Sequence, residues 1–156
     1  MKMAYAVIRV RGQPDVNYNI EHTMGLLGIN RVNHCVIVPE NDSVKGMLQV
    51  VKDYCTWGEV DEATLAAMLR ARAKVTGDKD LTDDYLKENS EFETIDALAK
   101  AIIENNCKLK DVEGVKPVIR LHPPVKGYEG NKRSYQNGGA LGYRGADVNK
   151  LINRML

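Results

Sequence analysis

The 156-residue sequence predicts an α+β protein made of two strand–helix units, a helical insertion, a third strand, a basic arm and a terminal helix. Two observations predict this class. Runs of β-branched residues alternate with amphipathic helical patterns, and 44% of the residues are hydrophobic, which suits one buried core. Two such units cover one face of a small sheet with helices and leave the other face open to a ligand.

The first strand–helix unit lies in residues 5–28. Tyr5–Arg11 alternates in polarity with period two, which predicts a strand whose second face is partly exposed. Asn19 is a good N-cap for the helix that follows, and Gly28 marks the C-terminal end of that helix.

The second unit begins with Val32–Val38, a run rich in β-branched residues that predicts the second strand. A second helix, capped by Asp42 or Ser43, is predicted to continue to a stop at Gly58. The apolar face of this helix is expected to contain Val44, Met47, Leu48, Val51 and Cys55. Residues 1–57 are therefore predicted to form the core.

Residues 58–113 are predicted to form an acidic insertion of three helices without a strand. The segment 58–107 holds six Lys or Arg residues and twelve Asp or Glu residues. Asp61 and Thr82 are the expected N-caps of the first two helices, and the third is lined by Ile95, Leu98, Ala99, Ile102 and Ile103. The acids of residues 78–84 lack the glycine and the final glutamate of a calcium loop, so they are interpreted as charge at a helix N-terminus.

The end of the chain contains a further strand and a further helix. Residues 114–123 return to strand character and are predicted to be the third core strand. Residues 146–156 are predicted to form a C-terminal helix. The buried face of this helix is expected to contain Val148, Leu151, Ile152 and Met155.

The arm between them, residues 124–145, has a composition of its own. Four cations, three tyrosines and six glycines accompany a single acid, Glu129, and almost no aliphatic residues. Such a segment buries too little apolar surface to order itself, so we expect it to fold against a partner. Its cations suit phosphates, its rings suit stacking on bases, and its glycines suit close backbone approach. A solvated flexible loop is the alternative.

Composition and motifs argue against several other classes of protein. Cys35, Cys55 and Cys107 are far apart and have no Cys-x-x-Cys spacing, so neither a disulfide framework nor a zinc site is predicted. The three histidines lack metal-ligand spacing, and no serine or cysteine lies in a nucleophile motif. The N-terminus does not resemble a signal peptide, and no apolar run reaches the length of a membrane span.

Several runs of the sequence carry a resemblance to a known family. The runs GLLGINRVNHCVIVPEN, VKGMLQVVKDYCTWG, PVIRLHPPVKGYEGNKRS and GGALGYRG resemble the L-thirty family of large-subunit ribosomal proteins in its longer archaeal form, related to the eukaryotic protein L-seven. The likeness extends over nearly the whole chain. Short bacterial members have an arginine where this chain has Lys45, which keeps the charge and loses the bidentate fork.

The resemblance implies a fold and a function. The fold would be a ferredoxin-like β-α-β-α-β core with a three-stranded antiparallel sheet. The protein would lie in the cytoplasm, in the large ribosomal subunit, against its major rRNA, near the 5S rRNA and beside neighbouring ribosomal proteins. Neither catalysis nor a cofactor is implied. The acidic insertion has no bacterial counterpart.

The expected mechanism is phosphate neutralisation by cations, with tyrosines or histidines stacked on unpaired bases. Cations of the arm would meet phosphates, and residues of the folded core would anchor it beside the same RNA. The residues expected to contact RNA are Arg9, Arg11, Arg31, Asn33, His34, Lys45, Arg120, His122, Lys126, Tyr128, Lys132, Arg133, Tyr135 and Arg144.

Two other functions are compatible with the sequence. A small regulatory module would bind an anionic metabolite at the sheet, and it would need a compact pocket but no long basic arm. An enzyme would depend on His34 or His122, each of which lies in a predicted strand beside basic residues.

Overall fold

The computed structural model describes residues 4–12, 16–104, 108–112 and 114–156. The α+β class predicted from the sequence is confirmed. The strands are β1 Ala4–Arg9, β2 His34–Pro39, β3 Cys55–Glu59, β4 Lys74–Val75, β5 Lys79–Asp80, β6 Ile119–Arg120, β7 Gly130–Ser134 and β8 Gly139–Tyr143. The helices are α1 Tyr18–Leu27, α2 Asp42–Val51, α3 Glu62–Arg72, α4 Asp83–Asn89, α5 Ile95–Ile103 and α6 Val148–Met155. None of the helices within these ranges is long and apolar enough to cross a membrane.

The central sheet has six strands in the order β6-β2-β1-β3-β8-β7. Strand β1 lies in the middle and pairs antiparallel with β2 and β3, so that Val7 faces Val36 on one side and Trp57 on the other. Strand β6 pairs antiparallel with β2, whereas β8 runs parallel to β3. The antiparallel three-stranded core is present, and the sheet continues beyond it at both edges.

The third strand of that core is not the one predicted. The second helix was expected to reach Gly58, but α2 ends at Val51, and β3 begins at Cys55. The Tyr54 carbonyl accepts hydrogen bonds from the backbone N–H groups of Val10 and Arg11, which fixes the turn before β3. Pairing with β1 buries the strand-forming residues after this turn and overrides the helical spacing.

Consequently the predicted third strand, residues 114–123, has a different place in the sheet. Only Ile119–Arg120 pairs with β2, on the outer edge. The boundary expected between core and insertion at residues 57 and 58 falls inside β3. The division of the chain into those segments stays a prediction.

Helices cover both faces of the sheet. Side chains of α1 and α2, including Met24 and Leu48, pack on the face that carries Tyr5, Val7 and Trp57. The opposite face carries Ala4, Ala6, Ile8 and Cys35, and it packs against buried residues of α3, α5 and α6. The expectation of an open face is therefore wrong, because the apolar sides of the insertion and of α6 are buried there rather than left in water.

The insertion follows the prediction in its helices and departs from it in one hairpin. The Asp61 side chain accepts a hydrogen bond from the Thr64 N–H (2.7 Å), and Thr82 caps α4 in the same way. Between α3 and α4, however, β4 and β5 form a short antiparallel pair. The turn between them contains Gly77 and Asp78 with positive φ, a conformation that aspartate tolerates better than most residues.

The arm is folded onto the sheet, contrary to the expectation that it lacks structure of its own. Strand β8 adds to β3, and β7 adds to β8. Two glycines make this possible. A Cβ atom at Gly58 would lie 1.9 Å from the Gly145 carbonyl oxygen, and one at Gly139 would lie 2.1 Å from the Arg133 carbonyl oxygen. Close backbone contact replaces the aliphatic packing that the arm's composition cannot supply.

Candidate nucleic-acid interface

The edge of the sheet formed by β2 and β6 carries exposed cations. Pairing of the two strands places His34 opposite Arg120, and the loop before β2 carries Arg31. The Leu121 N–H donates to the Asn33 carbonyl at 3.1 Å, which fixes that loop beside the chain that leaves β6. Arg31 and Arg120 are exposed and form no ion pair with any acid in the described ranges.

The surroundings of His34 at this edge favour its neutral form. Burial lowers the pKa of its imidazole, and the positive charges of Arg120, Arg31 and Arg9 lower it further. Its Nδ1 atom is buried and has no hydrogen-bond partner within the described part of the chain.

The arm meets this edge through one side-chain hydrogen bond. The Tyr128 hydroxyl donates to Asn33 Oδ1 at 2.6 Å. Lys126 lies two residues earlier, is exposed, and adopts a positive φ of 69°. The edge and the beginning of the arm therefore form one continuous surface.

The outer part of the arm carries two more cations. Lys132 and Arg133 lie in β7, are exposed, and form no ion pair with an acid among the residues that the structure describes. Both lie in a strand at the outer edge of the sheet. Strand β7 lies at the edge opposite to β6, so Lys132 and Arg133 form a second group of exposed cations, apart from Arg31, Arg120 and Lys126.

Arg9 does not belong to this surface, contrary to the prediction. Its side chain is 0% exposed, and its guanidinium donates to the carbonyls of Arg11 (2.9 Å) and Ile29 (3.0 Å) and to Glu21 (3.4 Å). The guanidinium is used in hydrogen bonds to carbonyls inside the protein and is inaccessible to phosphates.

Arg144 is also buried, although it was expected to contact phosphates. Its guanidinium donates to Thr56 Oγ1 (2.8 Å) and to the Ala140 carbonyl (2.7 Å), and it lies 5.0 Å from the centre of the Tyr135 ring. Glu129 lies 3.6 Å away. Burial lowers the pKa of Arg144, and the Glu129 charge opposes that shift. Arg144 fastens the arm to β3.

The two tyrosines expected to stack on bases have partners within the protein. Tyr128 is half-buried, and burial raises the pKa of its hydroxyl. The Tyr135 hydroxyl donates to Asp147, which raises the Tyr135 pKa and lowers the Asp147 pKa. In this arrangement both side chains hold the arm in place.

The other predicted residues are distributed over the surface. His122 is exposed just after β6. Arg11 lies over the Tyr54 ring at 4.8 Å and donates to the Asp53 carbonyl. Lys45 pairs with Glu40 at 3.4 Å and borders a different hollow, so the structure does not bring it together with His34.

Sequence reasoning missed Lys116. It borders the same hollow as His34 and Arg120, and its ammonium lies 2.5 Å from an Asp78 oxygen. Its period-two spacing with Val118 and Arg120 is the signal that could have identified it.

The described residues contain no group of three or more His, Cys, Asp or Glu side chains arranged to hold a metal. Cys35 and Cys55 are free and buried, and burial raises the pKa of each thiol to about 12. Cys107 lies outside the described residues.

Comparison with known proteins gives a consistent result. The sequence pattern of the family described as ribosomal protein L30p/L7e matches residues 5–55. Proteins named large ribosomal subunit protein uL30 are similar over 97% of this chain and 99% of their own length: 45% identical in Methanosphaera stadtmanae, 49% in Methanobrevibacter smithii and 46% in Archaeoglobus fulgidus.

Proposed function

The chain belongs to the ribosomal protein L30p/L7e family, and from this premise we propose that it is a structural constituent of the large ribosomal subunit that binds rRNA. The family consists of ribosomal components and not of enzymes. The protein would accordingly act in the cytoplasm, as part of the ribosome and beside other ribosomal proteins.

The observation that carries the RNA-binding part is the set of five exposed cations without acidic partners in the described ranges. Three lie at the β2–β6 edge and the start of the arm, which the Tyr128–Asn33 hydrogen bond joins, and two lie in β7 at the opposite edge of the sheet. Their members are Arg31, Arg120, Lys126, Lys132 and Arg133. Cations so placed neutralise phosphates and fix the orientation of the protein without reading the base sequence.

A double substitution tests this proposal. Replacing Lys132 and Arg133 by Ala should weaken binding to archaeal large-subunit rRNA by about tenfold or more, because two phosphate contacts are lost. Both side chains are exposed, so the melting temperature should stay the same. Filter binding at fixed salt measures the affinity.

The matched control replaces Lys79 and Lys87, which are exposed in the insertion. This variant has the same net charge as the first and should bind rRNA like the unmodified protein. An equal loss of affinity in both variants would show that only net charge matters and would contradict the proposed surface.

We further propose that the protein lies near the 5S rRNA, as its family resemblance implies. Cross-linking from Lys126 in reconstituted large subunits, followed by sequencing of the attached RNA, tests this position. Cross-links confined to RNA remote from the 5S rRNA would contradict it.

A further inference from the structure

A hollow of about 320 Å³ lies at the cationic edge of the sheet. It lies between the loop that follows α1 and the segment that leads into β6. Its walls include Asn30, His34, Lys116, Pro117, Val118 and Arg120. Its volume is near the lower end of the range for small-molecule pockets, roughly 300–1,000 Å³, so it suits one nucleotide and not a double helix.

The charge of this hollow favours an anion. Lys116 and Arg120 border it, and none of the described residues in its wall is acidic. Arg31 is close enough to lower the pKa of His34. A phosphate placed here would meet several positive charges at once.

The hollow also contains features that suit a base. Pro117 and Val118 supply apolar wall, and the imidazole of His34 is a flat ring on which a base can stack. The buried His34 Nδ1 lacks a hydrogen-bond partner among the described residues, and an unsatisfied buried nitrogen is costly. The polar groups of a base can supply the hydrogen-bond partner that His34 Nδ1 lacks, once the His34 ring turns toward the hollow.

We propose that this hollow binds a single unpaired nucleotide of the rRNA, with its phosphate on Arg120 and Lys116 and its base beside His34 and Pro117. The proposal rests on the proposed function and gives it a specific contact. A free nucleotide has the same chemistry, and the experiment below distinguishes the two sources.

Asp78 competes with the phosphate in this arrangement. It lies 2.5 Å from the Lys116 ammonium, and Lys116 and Arg120 both lower the pKa of its carboxyl group. Asp78 has a positive φ of 58°, which asparagine also tolerates. Asp78→Asn therefore removes the competing charge with little change to the backbone.

Chemical probing of archaeal large-subunit rRNA, one nucleotide at a time, tests the proposal. The unmodified protein should protect one or two adjacent unpaired nucleotides that Arg120→Ala leaves reactive, while other protected positions remain. Lys87→Ala, an exposed cation of the insertion, should change no position. If Arg120→Ala leaves every protected position unchanged, the proposal is overturned.

Two substitutions that each remove a carboxylate test for an increase in affinity. Asp78→Asn should tighten rRNA binding by up to about fivefold, the worth of one exposed ion pair. Glu88→Gln, an exposed acid of α4, removes the same charge and should leave affinity unchanged. Equal tightening by both variants would overturn the part assigned to Asp78.

Titration with nucleoside 5′-monophosphates and with inorganic phosphate, followed by NMR of His34, identifies the source of the ligand. Protection of rRNA with only weak millimolar shifts from free nucleotides supports the proposal. Tight binding of free nucleotides without any rRNA protection at the hollow would overturn it. If the Lys132 and Arg133 variant loses affinity while Arg120→Ala changes no protected position, the proposed function is retained and the nucleotide pocket is overturned.

Discussion

Arg9 and Arg31 carry the same charge, but only Arg31 is available to a ligand. Arg9 is fully buried, and three acceptors within the protein surround its guanidinium. Arg31 is exposed in the loop before β2. Burial and hydrogen bonding therefore decide whether a cation stabilises the fold or binds RNA.

Replacing Arg9 by Met should lower the free energy of unfolding by about 2–4 kcal/mol, because the Ile29 carbonyl and Glu21 lose their donor. Arg31→Met should change it by less than about 0.5 kcal/mol. Urea unfolding measures both values. At a temperature where both variants are folded, Arg31→Met should bind rRNA more weakly and Arg9→Met should not; the reverse order would contradict the assignment.

His34 gives a prediction for the effect of pH on stability. Its folded pKa is lower than the unfolded value of about 6.5, so the unfolded chain binds the proton more readily. The contribution of neutral His34 to the free energy of unfolding is fully present above a pH of about 6.5 and is lost as the pH falls toward the lower pKa of the folded state. Unfolding measured from pH 7 to pH 5 should show a steeper loss for the unmodified protein than for His34→Gln. Parallel curves would contradict the pKa shift.

At the scale of elements, glycine decides how the arm joins the sheet. A Cβ atom at Gly58 would lie 1.9 Å from the Gly145 carbonyl oxygen, so β3 and the end of the arm can approach each other only with glycine there. Gly46, in the exposed part of α2, has no neighbouring atom within 4 Å of its Cβ position.

These two glycines should respond to alanine in opposite ways. Gly58→Ala should destabilise the protein by roughly 1–3 kcal/mol and reduce amide protection in β8, since overpacking forces the arm away from β3. Gly46→Ala should stabilise it by roughly 0.5–1 kcal/mol through lower backbone entropy in the unfolded chain. Hydrogen exchange and thermal unfolding measure these effects, and unchanged β8 protection in Gly58→Ala would contradict the close contact.

At the scale of the whole molecule, charge is divided along the chain. Residues 58–107 hold twelve acids and six bases, whereas residues 108–156 hold ten bases and four acids. The helices of the insertion cover one face of the sheet with apolar side chains, and the five exposed cations proposed to bind rRNA lie at the β2–β6 edge and on the arm. The net charge of +1 hides this separation.

The separation predicts a steep dependence of rRNA binding on salt. Neutralising about five phosphates should give a slope of roughly −3 to −5 in a plot of log K against log salt concentration. Binding measured between low and moderate salt checks this value. Affinity that does not change with salt would contradict phosphate neutralisation.

The sequence by itself determined the α+β class, the helix caps at Asp61 and Thr82, the buried face of α6 and the family, because these depend on local spacing and on motifs. Only the tertiary structure decided that Cys55–Glu59 is a strand, that the arm joins the sheet, and that Arg9 and Arg144 are buried while Arg120 is exposed. Strand pairing and burial depend on partners distant in the chain, and local residue patterns do not specify them.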